Sequence, residues 1–200
     1  MPYESCPEGT DLRDLIILDG AERLWKTTQM EELTIRPASV EDAQNMANVH
    51  VRAWQWAYRG LIPDESLDSL SVERRAHNWE GLIQDPNIPA PYLAYKGTNA
   101  VGFVHAHTSR DGDASGEIGE VTSIYLLPEY VGEGIGWQLW STALDQLRKS
   151  HHTVVTVWVL DTNERGRGFY ERAGLVPDGE SKTHSIGNHP IQEVRYRGAL

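Results

Sequence analysis

The chain has 200 residues, of which 40% are hydrophobic and 24% charged, and this balance predicts one globular domain with a sizeable core rather than a disordered or fibrous chain. Its 18 basic and 29 acidic residues give a formal net charge of −11, which argues against nonspecific nucleic-acid binding because such binding needs basic surface. No apolar run reaches the roughly 18 residues of a membrane helix, and the start of the chain lacks the pattern of a signal peptide. We therefore predict a cytoplasmic protein without nucleic-acid or membrane partners.

Residues 1–32 carry a large share of the negative charge. They hold eight acidic and three basic residues, a net charge of −5, which leaves −6 for the remainder. Their one apolar patch, DLRDLIILDGAERLW, could form a helix or a strand. The only cysteine, Cys6, cannot form an internal disulfide, which fits a reducing compartment. We predict an acidic N-terminal extension over 1–32 and one domain over 33–200.

The first half of the domain shows a strand followed by helices and a hairpin. LTIRP predicts a strand that stops at Pro37, and Ser39 with Asp42 resembles a capping box that opens a helix with apolar residues at helical spacing. RGLIPDESLDSL predicts a loop and a short helix. SVERRAHNWEGLI predicts a further helix capped by Ser71, and PYLAYKGTNAVGFVHAHTS predicts a β-hairpin around KGTNA.

The second half alternates strands and helices. EIGEVTSIYLLP predicts a strand ended by Pro128, and a helix follows from about Glu133 to Ser150. TVVTVWVLD is nearly continuous in apolar character, as in a strand covered on both faces. NERGRGFYERAG predicts a short helix with Asn163 as its cap and Gly174 as its end; a loop SKTHSIGNHP and a last strand near IQEVRYRGAL complete the chain. The order β-α-α-β-β-β-α-β-α-β-β predicts a mixed α/β fold.

The run YVGEGIGW places three glycines between a strand and a helix. Backbone N–H groups at a helix start, together with the positive end of its dipole, hold a phosphate without a basic side chain. A Walker loop needs a Gly-Lys pair, which the chain lacks, and the Rossmann fingerprint needs a third glycine where Trp137 stands. A phosphate loop of another class and a glycine-rich turn without a ligand both remain open.

Three sequence blocks together resemble the GNAT superfamily of N-acetyltransferases. IYLLPEYVGEGIG is similar to the family signature Arg/Gln-x-x-Gly-x-Gly/Ala after a strand, NERGRGFYERAGL to its later block, and LTIRPASVEDA to its opening. The blocks follow the family order across residues 33–200. The resemblance implies a central twisted mixed sheet of about seven strands flanked by helices and splayed between the fourth and fifth strands.

The resemblance implies acetyl-coenzyme A as the cofactor. Backbone groups of Ile124, Tyr125 and Leu126 are expected to pair with the pantetheine arm. The loop expected to bind the pyrophosphate comprises Val131, Gly132, Glu133, Gly134, Ile135 and Gly136. Asn163 is expected either to contact pantetheine amides or to act only as a helix cap. Val131 departs from the usual Arg or Gln, and Glu133 places a carboxylate where a basic or amide residue is common, which should weaken phosphate binding unless it points to solvent.

The resemblance also assigns catalytic roles. Glu120 stands where many relatives carry the base that deprotonates the amine, although it could instead be a solvated strand carboxylate. Tyr170 matches the tyrosine that protonates the departing thiolate, or it is a packed aromatic. The backbone N–H of Leu126 is expected to meet the charge that develops on the carbonyl oxygen. Trp54, Trp56, Tyr58 and Arg59 lie where relatives build the acceptor pocket, although core packing explains at least one of the tryptophans; Trp54 and Tyr58 are the predicted substrate-binding residues.

The predicted function is acetyl transfer to a primary amine of a small molecule or a peptide N-terminus. A noncatalytic acyl-CoA-binding regulatory module is the alternative, and an interaction protein that only keeps the fold is a third. His105 and His107 share a strand face, but without a third ligand we predict no metal site. The resemblance is compatible with a homodimer.

Overall fold

The computed structural model describes residues 32–187 and 189–200, so the predicted acidic extension lies outside the described residues except for Glu32. The strands are β1 Leu33–Pro37, β2 Tyr92–Lys96, β3 Asn99–Thr108, β4 Ile118–Leu126, β5 Val154–Leu160, β6 Val176–Ile186 and β7 His189–Ala199. The helices are α1 Ala43–Ala57, α2 Asp64–Asp68, α3 Val72–Gln84, α4 Ile135–Lys149 and α5 Glu164–Arg172. The predicted mixed fold is confirmed, and the order of elements agrees except that three helices, including the short α2, precede β2 where the predicted order counts two. In the described ranges, no helix has the length and apolar character needed to cross a bilayer.

The seven strands form one mixed sheet in the order β1-β2-β3-β4-β5-β7-β6. Neighbours are antiparallel except β4 and β5, which run parallel and pair only where Ile118–Glu120 meets Val154–Thr156. Beyond these residues β4 continues to Leu126 and β5 to Leu160 without pairing to each other. The sheet is therefore splayed between its fourth and fifth strands, as predicted.

Helices cover both faces of the sheet. On one face α4 buries Leu139, Ala143 and Leu147 against β3, β4 and β5. On the other face α1 and α3 pack against β2 and β3, with Met46 and Trp79 among the buried residues. Both α1 and α4 carry apolar residues at the spacing of one helical face, which is why each buries a stripe while the opposite side stays polar.

Local hydrogen bonds fix the helix starts. The Ser71 hydroxyl accepts the Arg74 N–H at 3.1 Å, and the Asn163 side chain accepts the Gly166 N–H at 3.0 Å, so both predicted caps are confirmed. Helix α4 begins at Ile135, two residues later than predicted. Gly132 and Gly134 have φ angles of +95° and +82°, which are not helical, so the helix cannot begin before them.

The predicted loop SKTHSIGNHP is wrong for most of its length. Ser181–Ile186 belongs to β6 and the chain returns in β7 from His189, with Gly187 at a φ of +61° in the turn. The prediction failed because β6 is an edge strand with largely exposed polar residues, so the segment lacks the apolar alternation that marks a strand. Near the hairpin end, Ile186 and Ile191 pack with Ile62 and Leu67, which anchors the hairpin on the segment between α1 and α3.

Candidate functional site

A cleft of about 440 Å³ opens where β4 and β5 diverge. Its walls come from β4 residues 121–126 and β5 residues 157–159, and from parts of α5, the end of α1 and the loop before α4. The loop and α5 stand at the carboxyl ends of the two parallel strands. This is the place where open α/β sheets bind ligands, because the strand ends diverge there.

The register of β4 directs part of its backbone into the cleft. The Leu127 N–H donates to the Val101 carbonyl at 2.8 Å, and Gly102 is paired with Leu126 in the same register. Hydrogen-bonded and non-hydrogen-bonded pairs alternate in antiparallel strands, so the polar backbone groups of Leu126 and Ile124 point away from β3. Those of Tyr125 point toward β3. Two of the three predicted backbone positions therefore offer free donors and acceptors to an extended ligand.

The glycine loop forms a cradle of backbone N–H groups at the start of α4. Gly134 is the N-cap, and the Trp137 N–H donates to its carbonyl at 3.1 Å, which closes the first turn and leaves the N–H groups of Ile135 and Gly136 outside the helical pattern. A Cβ at Gly132 or Gly134 would meet nothing within 4 Å, so these glycines serve backbone conformation, not close packing. The cradle fits a pyrophosphate.

The charges around the loop differ from those expected from sequence. Glu133 does not line the cleft; its carboxylate lies 2.6 Å from the Lys96 ammonium. Val131 lies at the rim with 45% of its surface exposed. The cationic side chains that line the cleft come from α5 instead, namely Arg165 and Arg172, and the Arg165 guanidinium lies 4.1 Å above the Trp56 ring.

Glu120 lies at the point where β4 and β5 separate. It is the last β4 residue that pairs with β5, where it faces Thr156, and it is paired with His107 of β3. It is 7% exposed, and the next residue, Val121, already lines the cleft. Because Val121 packs in the core under α4, strand alternation places the Glu120 side chain on the opposite face of the sheet. The carboxylate is thus beside the cleft rather than in its lining.

Tyr170 lines the cleft and is otherwise enclosed. Its ring lies 5.6 Å from Trp140 and 5.5 Å from Phe169, and only 8% of the residue is exposed. Its hydroxyl has no hydrogen-bond partner among residues 32–187 and 189–200. Burial, with a smaller contribution from Tyr58, raises the pKa of Tyr170 above its ordinary value. The hydroxyl therefore stays protonated and can donate a proton into the cleft.

The two predicted acceptor residues lie in different places. Tyr58 lines the cleft, and its hydroxyl is 3.2 Å from that of Tyr125. Trp54 does not line the cleft but packs against His50 at 5.5 Å and Tyr58 at 5.1 Å. Burial raises the pKa of Tyr58, so this hydroxyl too remains neutral.

Three tryptophans that the sequence did not assign firmly to the site line the cleft. Trp56 and Trp137 are 38% and 42% exposed, and Trp137 lies 4.8 Å from the Phe169 ring. Trp158 belongs to the strand that was predicted to be covered on both faces, and its indole N–H donates to the Asp111 carboxylate. A tryptophan in the first turn after the glycine loop was the sequence signal available for Trp137.

The paired histidines have structural partners. His105 Nδ1 lies 3.0 Å from the Thr122 hydroxyl, its Nε2 lies 3.1 Å from the Pro89 carbonyl, and the rings of His105 and His107 are 5.1 Å apart. Burial lowers the pKa of His105 to about 4. Within the described part of the chain, no three His, Cys, Asp or Glu side chains cluster so as to hold a metal ion.

Comparisons with known proteins agree with this geometry. An uncharacterized N-acetyltransferase of Bacillus subtilis (strain 168), YuaI, is 29% identical over 132 residues, which cover 66% of this chain and 73% of the relative. The spermidine N(1)-acetyltransferase of Thermoplasma acidophilum is 25% identical over 170 residues, 82% of this chain and 98% of the relative. The crystal structure of PaiA N-acetyltransferase from Thermoplasma acidophilum in complex with coenzyme A has a TM-score of 0.69 at 21% identity, covering 84% of this chain and 99% of that one.

The strongest of the comparisons is with a family model. The model of the acetyltransferase (GNAT) family matches residues 48–175, which include α1 from residue 48 onward, the whole of β4, the glycine loop and α5. This match spans more than half of the chain. The chain therefore belongs to the GNAT acetyltransferase family, whose enzymes transfer an acyl group from acetyl-coenzyme A.

Proposed function

We propose that the chain transfers the acetyl group of acetyl-coenzyme A to a primary amine of a small molecule or peptide by direct attack. The observation that carries this proposal is Tyr170, a buried tyrosine that lines the cleft and whose hydroxyl has no partner in the described ranges. The ring is enclosed, but the hydroxyl oxygen is not among the buried unpartnered polar atoms, so it is accessible at the cleft and available to a bound ligand.

Binding in this proposal uses mainly backbone groups. The loop 131–136 holds the pyrophosphate at the start of α4 through N–H groups such as those of Ile135 and Gly136, since the N–H groups of Val131 and Glu133 already donate to backbone carbonyls. The backbone N–H and carbonyl of Ile124 and the carbonyl of Leu126 pair with the pantetheine arm as an added strand would. Asn163 keeps its cap, since its side-chain oxygen accepts the Gly166 N–H, and its amide nitrogen is left for a pantetheine carbonyl. When bound, acetyl-coenzyme A supplies a thioester whose carbonyl carbon accepts a nucleophile.

Three groups of the chain serve the transfer. Glu120 takes a proton from the amine, directly or through a water molecule, so that the nitrogen lone pair is free to attack. The Leu126 N–H, which points away from β3, donates to the carbonyl oxygen as negative charge develops there. Tyr170 gives its proton to the departing sulfur, and its raised pKa keeps that proton available at neutral pH.

The acceptor in this proposal is a cationic amine. The formal charge of −11 favours the approach of a cation. The carboxylates next to the cleft, Asp111 beside Trp158 and Glu193 near Tyr58, are themselves paired with Arg195 and Lys182, so the support comes from the overall charge. The relative from Thermoplasma acidophilum, which is named as a spermidine acetyltransferase, supports a small amine over a peptide terminus.

Calorimetric titration of the full chain with acetyl-coenzyme A, with coenzyme A and ATP as comparisons, tests the binding step. A thiol-release assay with spermidine, simple monoamines and peptides with free N-termini then tests transfer. Binding followed by thiol release with an amine is the expected result. Binding without release for every amine would favour the noncatalytic module, and no binding would refute both.

Three further proposals rest on the sequence alone. They are a cytoplasmic location, a homodimer, and the division into an acidic extension 1–32 and an acetyltransferase domain 33–200.

A further inference from the structure

The phosphate loop carries one acidic side chain, at its centre. Glu133 stands between Gly132 and Gly134, the two glycines with positive φ that shape the cradle. A carboxylate and a doubly charged pyrophosphate at neighbouring positions repel each other, even through water. A loop that binds phosphate through its backbone therefore needs this charge to be offset or turned aside.

Both conditions are met by one residue from a distant part of the sequence. Lys96, at the end of β2, has its ammonium 2.6 Å from the Glu133 carboxylate. The same ammonium lies 5.4 Å from the centre of the Tyr130 ring, and Tyr130 ends the short turn from which the loop departs. The Lys96 side chain is 28% exposed and that of Glu133 42%, so the contact lies at the surface but is not fully solvated.

The contact with Lys96 holds the Glu133 carboxylate outside the cleft. Glu133 is absent from the cleft lining, although Gly132 and Gly134 on either side of it are part of that lining. The other acidic residue near the loop, Glu129, is paired with Arg52 at 2.8 Å. Each carboxylate of the segment 129–134 thus has a cationic partner from another element.

We propose that Lys96 is a positioning residue for cofactor binding, which offsets the charge of Glu133 and keeps that carboxylate away from the N–H cradle. This inference rests on the proposed binding of the pyrophosphate by the loop. It explains how a loop with an acidic residue in place of a basic or amide one can still bind a polyanion. It also makes cofactor affinity depend on a strand that does not contact the cleft.

A charge-removal cycle tests the inference by affinity rather than by activity. The variants are Lys96→Met, Glu133→Gln and the double variant, and calorimetry measures the Kd of coenzyme A and of pantetheine, which lacks phosphates. An ionic strength of about 0.01 M, where the Debye length is about 30 Å, keeps screening small. Arg148→Met is the matched control, because it removes one cation from an ion pair with Asp145 at the far end of α4, about 20 Å from the loop.

Lys96→Met is expected to weaken coenzyme A binding roughly three- to tenfold and to leave pantetheine binding unchanged. Glu133→Gln should bind coenzyme A as well as or better than the parent, and the double variant should match Glu133→Gln. Unfolding temperatures of all variants check that the fold is kept.

Two results would overturn the inference. One is a Kd of Lys96→Met equal to that of Arg148→Met; the other is a double variant as weak as Lys96→Met, since Lys96 would then act independently of Glu133. Failure of the parent protein to bind coenzyme A would refute the proposed function together with this inference, whereas binding that is indifferent to Lys96 refutes the inference alone.

Discussion

Replacement of Tyr170 by phenylalanine isolates the proposed acid with little structural change. The ring and its contacts with Trp140, Phe169 and Tyr196 remain, and only the hydroxyl is lost. That hydroxyl has no partner among the described residues, so its removal leaves no donor or acceptor unpaired. We expect the free energy of unfolding to stay the same or to rise by up to about 1 kcal/mol.

The effect on turnover should be much larger than the effect on stability. Loss of a general acid typically lowers kcat by about 10² to 10⁴, which corresponds to roughly 3–5 kcal/mol in the barrier. Because burial raises the pKa of Tyr170 above the usual value near 10, the group stays protonated at all working pH values. The loss of rate should therefore be nearly constant with pH across the neutral range.

The assay follows thiol release at saturating acetyl-coenzyme A and amine, and calorimetry gives the Kd of the cofactor separately. Tyr95→Phe is the matched control, since it removes a tyrosine hydroxyl that is bonded to Asp42 and lies outside the cleft lining. We expect an unchanged Kd for both variants and a large loss of kcat for Tyr170→Phe alone. A kcat within about threefold of the parent would refute the acid role, as would an equal loss in Tyr95→Phe.

Three other substitutions test separate parts of the site and the fold. Glu120→Gln should lose the acidic limb of the pH–rate profile. The control Glu117→Gln, at an exposed residue, should keep that limb. If the limb survives in Glu120→Gln, the base is another residue. Gly134→Asp should abolish calorimetric binding of coenzyme A, because it adds a carboxylate at the cradle and strains a backbone φ angle of +82°. The control Gly112→Asp, where a Cβ meets nothing within 4 Å, should bind coenzyme A normally. Equal affinities of the two variants would argue against the cradle. His50→Phe should stabilise the protein more at pH 5 than at pH 8, by about 2 kcal/mol in the difference between the free energies of unfolding. Burial lowers the pKa of His50 to about 3, so the parent protein loses stability as the pH falls from the unfolded pKa near 6.5 toward 3. A gain in the free energy of unfolding of His50→Phe that is the same at pH 5 and pH 8 would contradict this reasoning.

The local features of the fold could be predicted because they depend on neighbours in sequence. Ser71 and Asn163 cap helices through N–H groups three residues away, and apolar spacing along α1 and α4 reports which side each helix buries. The edge hairpin formed by β6 and β7 is the exception. Its polar strand is held by pairing with β7 rather than by its own pattern, so its sequence resembles a loop.

The site was predicted only in part, for the same reason. The glycine loop and Tyr170 carry recognisable local motifs, and both line the cleft. Trp54 and Trp56 lie two residues apart in a helix that gave no means of choosing between them, and the structure puts Trp56 at the cleft. A position two residues along a helix is rotated by about 200°, so which of the two faces the cleft depends on how the whole helix packs.

The sequence by itself determined most of the elements, the caps and the glycine loop before α4, since each is encoded within a few residues of chain; the edge strand β6 is the exception. The tertiary structure decided where β4 and β5 part, which aromatic residues meet in the cleft, and that Lys96 pairs with Glu133. These contacts join residues that are far apart in the chain. They form only after the sheet has assembled and α4 has packed across it, because no local preference of either partner fixes the distance between them.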